Sequence, residues 1–528
     1  MEIIGEYMDH QIGSVNPATG ESLGFSKLQT IEELGEMILL ASETQKYWGE
    51  LPVDARIKLV LKVRDFIVDN ADRIADTISR DNGKTTVDAM ATEVVPAVMA
   101  VSYYCKNAER FLRDKNVKSG NIILINKRSK IIRVPYGIIG IISPWNYPFS
   151  IPLSEVIMGI LAGNGVILKT ASETQMVGLI LKEAIEYAKL PRGIFNFINL
   201  PGKITGDAFL DLGINKIFFT GSVTVGKYIM ERAAKYLTPI CLELGGNDAM
   251  IVCEDADPYR AAVGAVWGGF QNAGQSCGGV ERIYVHEKIY NQFMEVLKQK
   301  IESLRIGIGT DYNSDMGCMT TLRQTDTVNR HIKDALDKGA KIFAQSQISL
   351  SNSLKQILPA TVLIDVNHQM DVMRHETFGP VVGVMKFSDY GEAIKLANDS
   401  YLGLTGSVWT KNSKRGEELA RNIKAGVVSI NDHLMSHGLP ETPWGGFKQS
   451  GIGRTHGALG FDEMTQPLTI VKDVMPFVRK NLWWHPFNKS IYGGLKGILY
   501  FLYGKKITLR FQGAAAFLKI VPRIFRKD

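Results

Sequence analysis

Cys277 lies in Phe270-Gln271-Asn272-Ala273-Gly274-Gln275-Ser276-Cys277-Gly278-Gly279, a thiol set among small residues. Gly274, Gly278 and Gly279 let the backbone approach a ligand closely, and an approachable thiol can act as a covalent nucleophile. Taken alone, the segment reads as a small, inert, buried cysteine, the usual fate of a free thiol. Leu242-Glu243-Leu244-Gly245-Gly246-Asn247 ends an apolar run with a carboxylate and two glycines. From there Glu243 can swing into a cleft as a general base, or simply face solvent. Pro144-Trp145-Asn146-Tyr147-Pro148 holds an amide in a rigid loop. Such an amide needs partners; it is structural, or it donates to a developing oxyanion.

Other segments could hold a ligand. Ile217 to Gly226 reads as strand, glycine turn and helix. The opening amides of a helix suit a phosphate, although the glycine spacing is not that of the usual dinucleotide fingerprint. Lys169 ends its own strand at the same edge, where open sheets bind cofactors. His375-Glu376-Thr377-Phe378-Gly379-Pro380 puts a carboxylate and an aromatic ring in one tight turn, and Pro443 to Arg454 is a glycine-rich aromatic loop.

The elements that must carry these residues alternate. Thr30 to Asn116 has helical spacing. Asn121 to Ile139 reads as a hairpin, with Ile122–Ile125 as one strand, a basic turn at Lys127–Lys130 and Ile131-Ile132 in the other. Strands are expected at 137–143, 166–169, 196–199, 216–219 and 240–244, with helices at 154–162, 172–188 and 223–236. A second alternating region spans 249–430. Alternation of this kind implies parallel sheets covered by helices. The uncharged run Val134–Ser154 contains four prolines, so it reads as a buried strand entering a loop and not as a membrane span.

Together these motifs, in this order over about residues 10–478, resemble the aldehyde dehydrogenase superfamily. The resemblance implies an α/β fold with a Rossmann-like cofactor domain, a second α/β catalytic domain and a projecting β oligomerisation hairpin. The corresponding divisions are 1–120 with 140–248 for NAD(P) binding, 249–440 for catalysis, 121–139 with 441–480 for oligomerisation and bridging, and 481–528 as an appended tail. It implies Cys277 as nucleophile, Glu243 as general base and Asn146 as oxyanion donor. Trp145, Lys169, Gly221, Ser222 and Gly226 would contact the cofactor, as would Glu376 and Phe378 at the nicotinamide ribose and ring. The cofactor is NAD or NADP, the substrate an aldehyde, the assembly a homodimer or homotetramer, and no metal is expected. A thioester passed to coenzyme A, or a catalytically silent, membrane-associated binding protein on the same fold, are the alternatives.

Two positions depart from the family pattern. Relatives often carry Glu where Ser172 stands in Lys169-Thr170-Ala171-Ser172; losing that charge weakens discrimination against a 2′-phosphate and implies dual NAD/NADP use. Thr455 and His456 follow Arg454 where a carboxylate often relays protons. Ser154 is small where many relatives are bulky, Trp444 is placed at the entrance, and Arg282 is read as structural. A medium or long apolar aldehyde is expected.

Charge and composition bound the rest. The chain has 528 residues and five unpaired-looking cysteines, which fits a reducing cytosol. Glu2, Glu6 and Asp9 leave no apolar run for a secretory signal. The net +7 is concentrated in Arg479–Asp528, where eleven Lys and Arg face one acid. The near-neutral remainder argues against nucleic-acid binding. Residues 481–528 carry ten aromatic residues and no apolar stretch of the roughly 20 residues a span needs. That profile is an interfacial membrane anchor, or a tail packed on a partner subunit.

Overall fold

A computed structural model describes residues 7–8, 11–310, 312–348 and 355–526; the acidic positions Glu2, Glu6 and Asp9 lie outside them. The chain forms two compact units, one comprising Met1–Leu112 and Val134–Gln466, the other Arg113–Arg133 and Pro467–Asp528.

Two sheets organise the first unit. The first runs in the order Gly451–Ile452, Ile240–Glu243, Lys216–Thr220, Ile138–Ile142, Gly165–Lys169, Phe195–Phe197. All neighbours are parallel except the antiparallel Gly451–Ile452 edge. Its inner strands are largely apolar, with Ile138 to Ile142 all buried, as a sheet covered on both faces requires. Chain order reverses between Ile138–Ile142 and Lys216–Thr220, so the loops after these two strands open a crevice at their carboxyl ends. The wholly buried helix Ser150–Leu161 follows the first of these loops, with Pro152 tolerated in its opening turn.

The second sheet has the order Lys341–Gln345, Thr361–Ile364, Val381–Phe387, Val280–His286, Asp248–Val252, Thr405–Trp409, Val427–Ile430. It is parallel apart from its Lys341–Gln345 edge. The expected mixed α/β architecture is therefore present, and Gly202–Asp211 is a helix the sequence reading passed over because Pro201 and Gly202 resemble a loop.

The second unit corrects the hairpin. Ile122–Leu124 is a single 3₁₀ turn capped by Asn121, not a strand. The basic run expected as a turn opens the strand Lys127–Pro135, which pairs antiparallel with Lys115–Val117. Its early charged side chains alternate with inward ones, so they are accommodated on a strand's outer face. Thr465–Asp473 joins this sheet, whereas Gly451–Ile452 joins the first, so 441–480 serves two sheets.

The tail is a helical hairpin, Lys489–Tyr503 and Ile507–Ile520. Gly494, Gly497 and Gly513 let the helices touch: a Cβ on Gly497 would come within 2.6 Å of the Gly513 carbonyl. Leu482, Ile498 and Ile520 form its small core, while Trp484, Phe487, Tyr492, Phe511 and Leu518 are exposed. No helix among the described residues is long and apolar enough to cross a membrane.

Candidate active site

The loop carrying Cys277 is shaped by its backbone. Asn272, Ala273 and Gly274 adopt φ of 52°, 53° and 70° in succession. Two non-glycine residues in the left-handed region cost energy that neighbours must hold in place. Asn272 does so by donating its main-chain N–H to buried Asp88 at 3.1 Å and its side-chain amide to the Asn146 carbonyl at 2.9 Å. Below Cys277, the Gly278 carbonyl is held by Thr405 Oγ1 at 3.2 Å and lies 2.9 Å from His433 Nε2.

Asn146 is fixed from two sides. Its side-chain amide donates to the Gln275 carbonyl at 3.1 Å, which uses one of its two hydrogens. Its own carbonyl accepts from Lys84 Nζ at 2.8 Å. Lys84 pairs with Glu93 at 2.6 Å, both side chains fully buried, and Glu93 in turn accepts the main-chain N–H groups of Phe149 and Ser150 at the start of the helix that follows. Lys84 also sits 4.3 Å from the Tyr147 ring centroid, and the Tyr147 hydroxyl donates to Gln271 at 2.6 Å. Lys84 and Glu93 thus join the Asn146 loop to the helix that follows it. They escape the sequence because residues nine apart fall on opposite faces of a helix, so no local pattern pairs them.

Glu243 ends its strand buried, with neither carboxylate oxygen hydrogen-bonded within the described chain. Burial, then the charge of Glu155, push its carboxyl well above the usual range, with Arg454 opposing. The Cys277 thiol is also raised, first by burial and then by Glu376, Asp248 and Glu243. Cys277, Glu243, Glu155, Ser154, Trp444 and Thr455 line one cleft, with Ile151, Leu244, His437 and His456 completing its wall. Burial holds His437 down at about 4 and His456 well below its ordinary value, so both are neutral imidazoles. No Lys or Arg lines this cleft among the described residues. Arg282 spends its guanidinium on the carbonyls of Asn247, Leu396 and Ala397.

The remaining predicted contacts lie along the same sheet ends. Glu376 accepts the Gly246 main-chain N–H at 3.0 Å, and Phe378, at φ 53°, meets the Trp145 ring edge-to-face at 5.5 Å. Buried Glu281, absent from the sequence reading, accepts the N–H groups of Thr377 and Phe378 at 2.7 and 2.9 Å and so clamps this turn. Lys169 is buried, its charge disfavoured by burial, with a Cβ on Gly202 reaching its Nζ at 3.5 Å. Ser222 caps the helix Val223–Ala234, whose first turn includes buried Gly226, just beyond Gly221. Ser172 is half-buried, and exposed Glu173 follows it. A buried Lys169, a helix N-terminus and the unpartnered buried hydroxyls of Thr170 and Thr220 at one sheet edge fit a dinucleotide with two phosphates.

A family model described as the aldehyde dehydrogenase family matches residues 6–470. The chain is 37% identical over 499 residues to a 4,4'-diapolycopene aldehyde oxidase of Methylomonas sp, covering 94% of this chain and 92% of that one. It is 33% identical to a putative NADP-dependent succinate-semialdehyde dehydrogenase of Mycobacterium ulcerans, covering 86% of each. Its fold matches the NAD+ complex structure of a Bacillus cereus aldehyde dehydrogenase, with a TM-score of 0.83 and 30% identity over 88% of this chain and 93% of that one. The chain belongs to the aldehyde dehydrogenase family and is an NAD- or NADP-dependent, aldehyde-oxidising enzyme.

Proposed function

We propose that the enzyme oxidises a medium or long apolar aldehyde to its carboxylic acid. The observation that carries this reading is the shared cleft of Cys277 and Glu243, which has two buried carboxyl groups and no lining cation among the described residues. A substrate bearing its own carboxylate would be repelled there and left without a counterion. The apolar wall, and the likeness to an oxidase named for a long polyene aldehyde, favour the apolar class.

The Cys277 sulfur attacks the aldehyde carbon to form a thiohemiacetal. The Asn146 side-chain amide and the Cys277 main-chain N–H stabilise the oxyanion; one such donor is worth on the order of 2.7–4 kcal/mol. Lys169, Gly221, Ser222, Gly226, Glu376, Phe378 and Trp145 would hold NAD or NADP. When bound, that cofactor supplies the acceptor for the hydride leaving the aldehyde carbon. Glu243 then takes a proton from water, whose oxygen attacks the Cys277 thioester and releases the acid. With Ser172 beside the expected ribose site, both NAD and NADP are accepted.

The basic, aromatic helical hairpin of the tail binds the headgroup region of an anionic membrane from the cytoplasmic side, where an apolar aldehyde partitions. The exposed strand Thr465–Asp473, with Leu468, Ile470 and Val471 outward, pairs subunits in a homo-oligomer. The test is NAD(P)H formation with aliphatic aldehydes of rising length and with succinate semialdehyde, without coenzyme A. Rising kcat/KM with chain length and free acid as product support the reading; a preference for succinate semialdehyde, or a strict need for coenzyme A, overturns it. Sedimentation of the full chain and of a chain ending at Val478 with phosphatidylserine vesicles tests the tail: equal binding discards the anchor.

A further inference from the structure

Glu155 is the second carboxyl group of the catalytic cleft, and no step above uses it. It sits on the helix Ser150–Leu161, buried, with Oε2 unpartnered, and it lines the same wall as Glu243 and Cys277. No cation pairs with it among the described residues, which is unusual for a buried acid. Its setting is crowded with groups that can exchange protons. Cys241 and Glu243 face it from the strand Ile240–Glu243, and Tyr104 from the helix Val95–Leu112. Cys277, His437 and His456 line the same cleft. Behind these stand Glu441, Glu463 and Arg454; Lys216 is paired to Glu463, and Glu93 at the foot of the helix is paired to Lys84. Buried His456 also leaves Nδ1 unpartnered.

We propose that Glu155 acts through Glu243: both carboxyl groups line one buried cleft with unpartnered oxygens and no lining cation among the described residues, so ionisation of one opposes ionisation of the other. Two carboxylates in one dry site cannot both ionise cheaply, so they titrate as a pair. Burial lifts Glu155 to about 8, and burial followed by the Glu155 charge raises Glu243 well above the ordinary carboxyl range. A base whose proton affinity lies near working pH removes a proton from water more effectively than an ordinary carboxylate. This rests on Glu243 being the base for thioester hydrolysis.

The test compares wild type, Glu155→Gln and Glu155→Asp with decanal and NAD across pH. The initial burst of NADH reports acylation of Cys277, and the steady rate reports hydrolysis. In Glu155→Gln the burst should persist while the acid limb of the steady rate moves down by about one pH unit or more. Glu155→Asp, which keeps the charge, should hold the limb near its original position. An unmoved or upward limb in Glu155→Gln overturns the proposal, whereas a missing burst in wild type overturns the aldehyde reading instead. If Glu155→Gln does not fold, infrared titration of the carboxyl band replaces it. Wild type should then show two separated steps that collapse to one in Glu243→Gln, and two coincident steps in wild type overturn the pairing.

Discussion

The main-chain N–H of Gly246 donates to Oε1 of Glu376 at 3.0 Å, tying the chain just past Glu243 to the turn that carries Phe378. The same glycine lies so close to the Cys277 loop that a Cβ there would stand 2.2 Å from the Cys277 carbonyl. That contact is with backbone and cannot be relieved by turning a side chain. Gly246→Ala should therefore lower kcat by about a hundredfold, the cost of displacing a reacting group by roughly 1 Å, while the circular dichroism spectrum is kept. Activity within a few fold of wild type would show that the loops tolerate the shift.

Cys277→Ala should abolish NAD(P)H formation and leave cofactor binding, read by fluorescence quenching, within about threefold of wild type. Glu243→Gln should retain the burst and lose the steady rate; an unchanged steady rate removes Glu243 as the base.

Negative charge from Glu376, Asp248 and Glu243 adds to burial in raising the Cys277 thiol. Removing the Glu376 charge lowers that pKa wherever Glu376, itself raised well above the ordinary carboxyl range by burial, has ionised. Glu376→Gln should accordingly speed iodoacetamide labelling of Cys277 without cofactor at alkaline pH. The two rates should converge as the pH falls and Glu376 takes up its proton. Slower labelling in the variant contradicts the electrostatic account.

Lys84 and Glu93 are both fully buried and joined at 2.6 Å. Lys84→Met strands a buried carboxylate, so it should cost about 3–5 kcal/mol of stability. The double variant Lys84→Met/Glu93→Leu should recover part of the loss in thermal unfolding. A single variant as stable as wild type would mean that water already reaches Glu93.

Ser172→Glu should place a negative charge near the expected 2′ position. The ratio of kcat/KM for NADP to that for NAD should fall about tenfold, which corresponds to 1.4 kcal/mol. An unchanged ratio would locate cofactor choice elsewhere.

Much of the fold was legible because its signals are local. The apolar runs ending at Lys169, Thr220 and Glu243 announce buried parallel strands, and each ends in a side chain that can only emerge at a sheet edge. The hairpin was misread because Ile122–Leu124 is apolar without being extended, and the basic run at Lys127 is a strand whose charges point outward. The role of Glu281 was hidden because its partners, Thr377 and Phe378, are almost a hundred residues away in sequence.

The sequence by itself determined the nucleophile candidate, the two α/β sheets, the concentration of positive charge in the tail and the family likeness, because residue type, period and motif order are properties of the chain. Only the tertiary structure decided which groups share a dielectric. It put Glu155 and Glu243 in one cleft, placed the Lys84–Glu93 pair against the Asn146 carbonyl, and left no Lys or Arg lining the cleft among the described residues. Proton affinity and charge repulsion depend on distance and burial, and residues 155, 243 and 277 acquire these only when strand ends and helix meet.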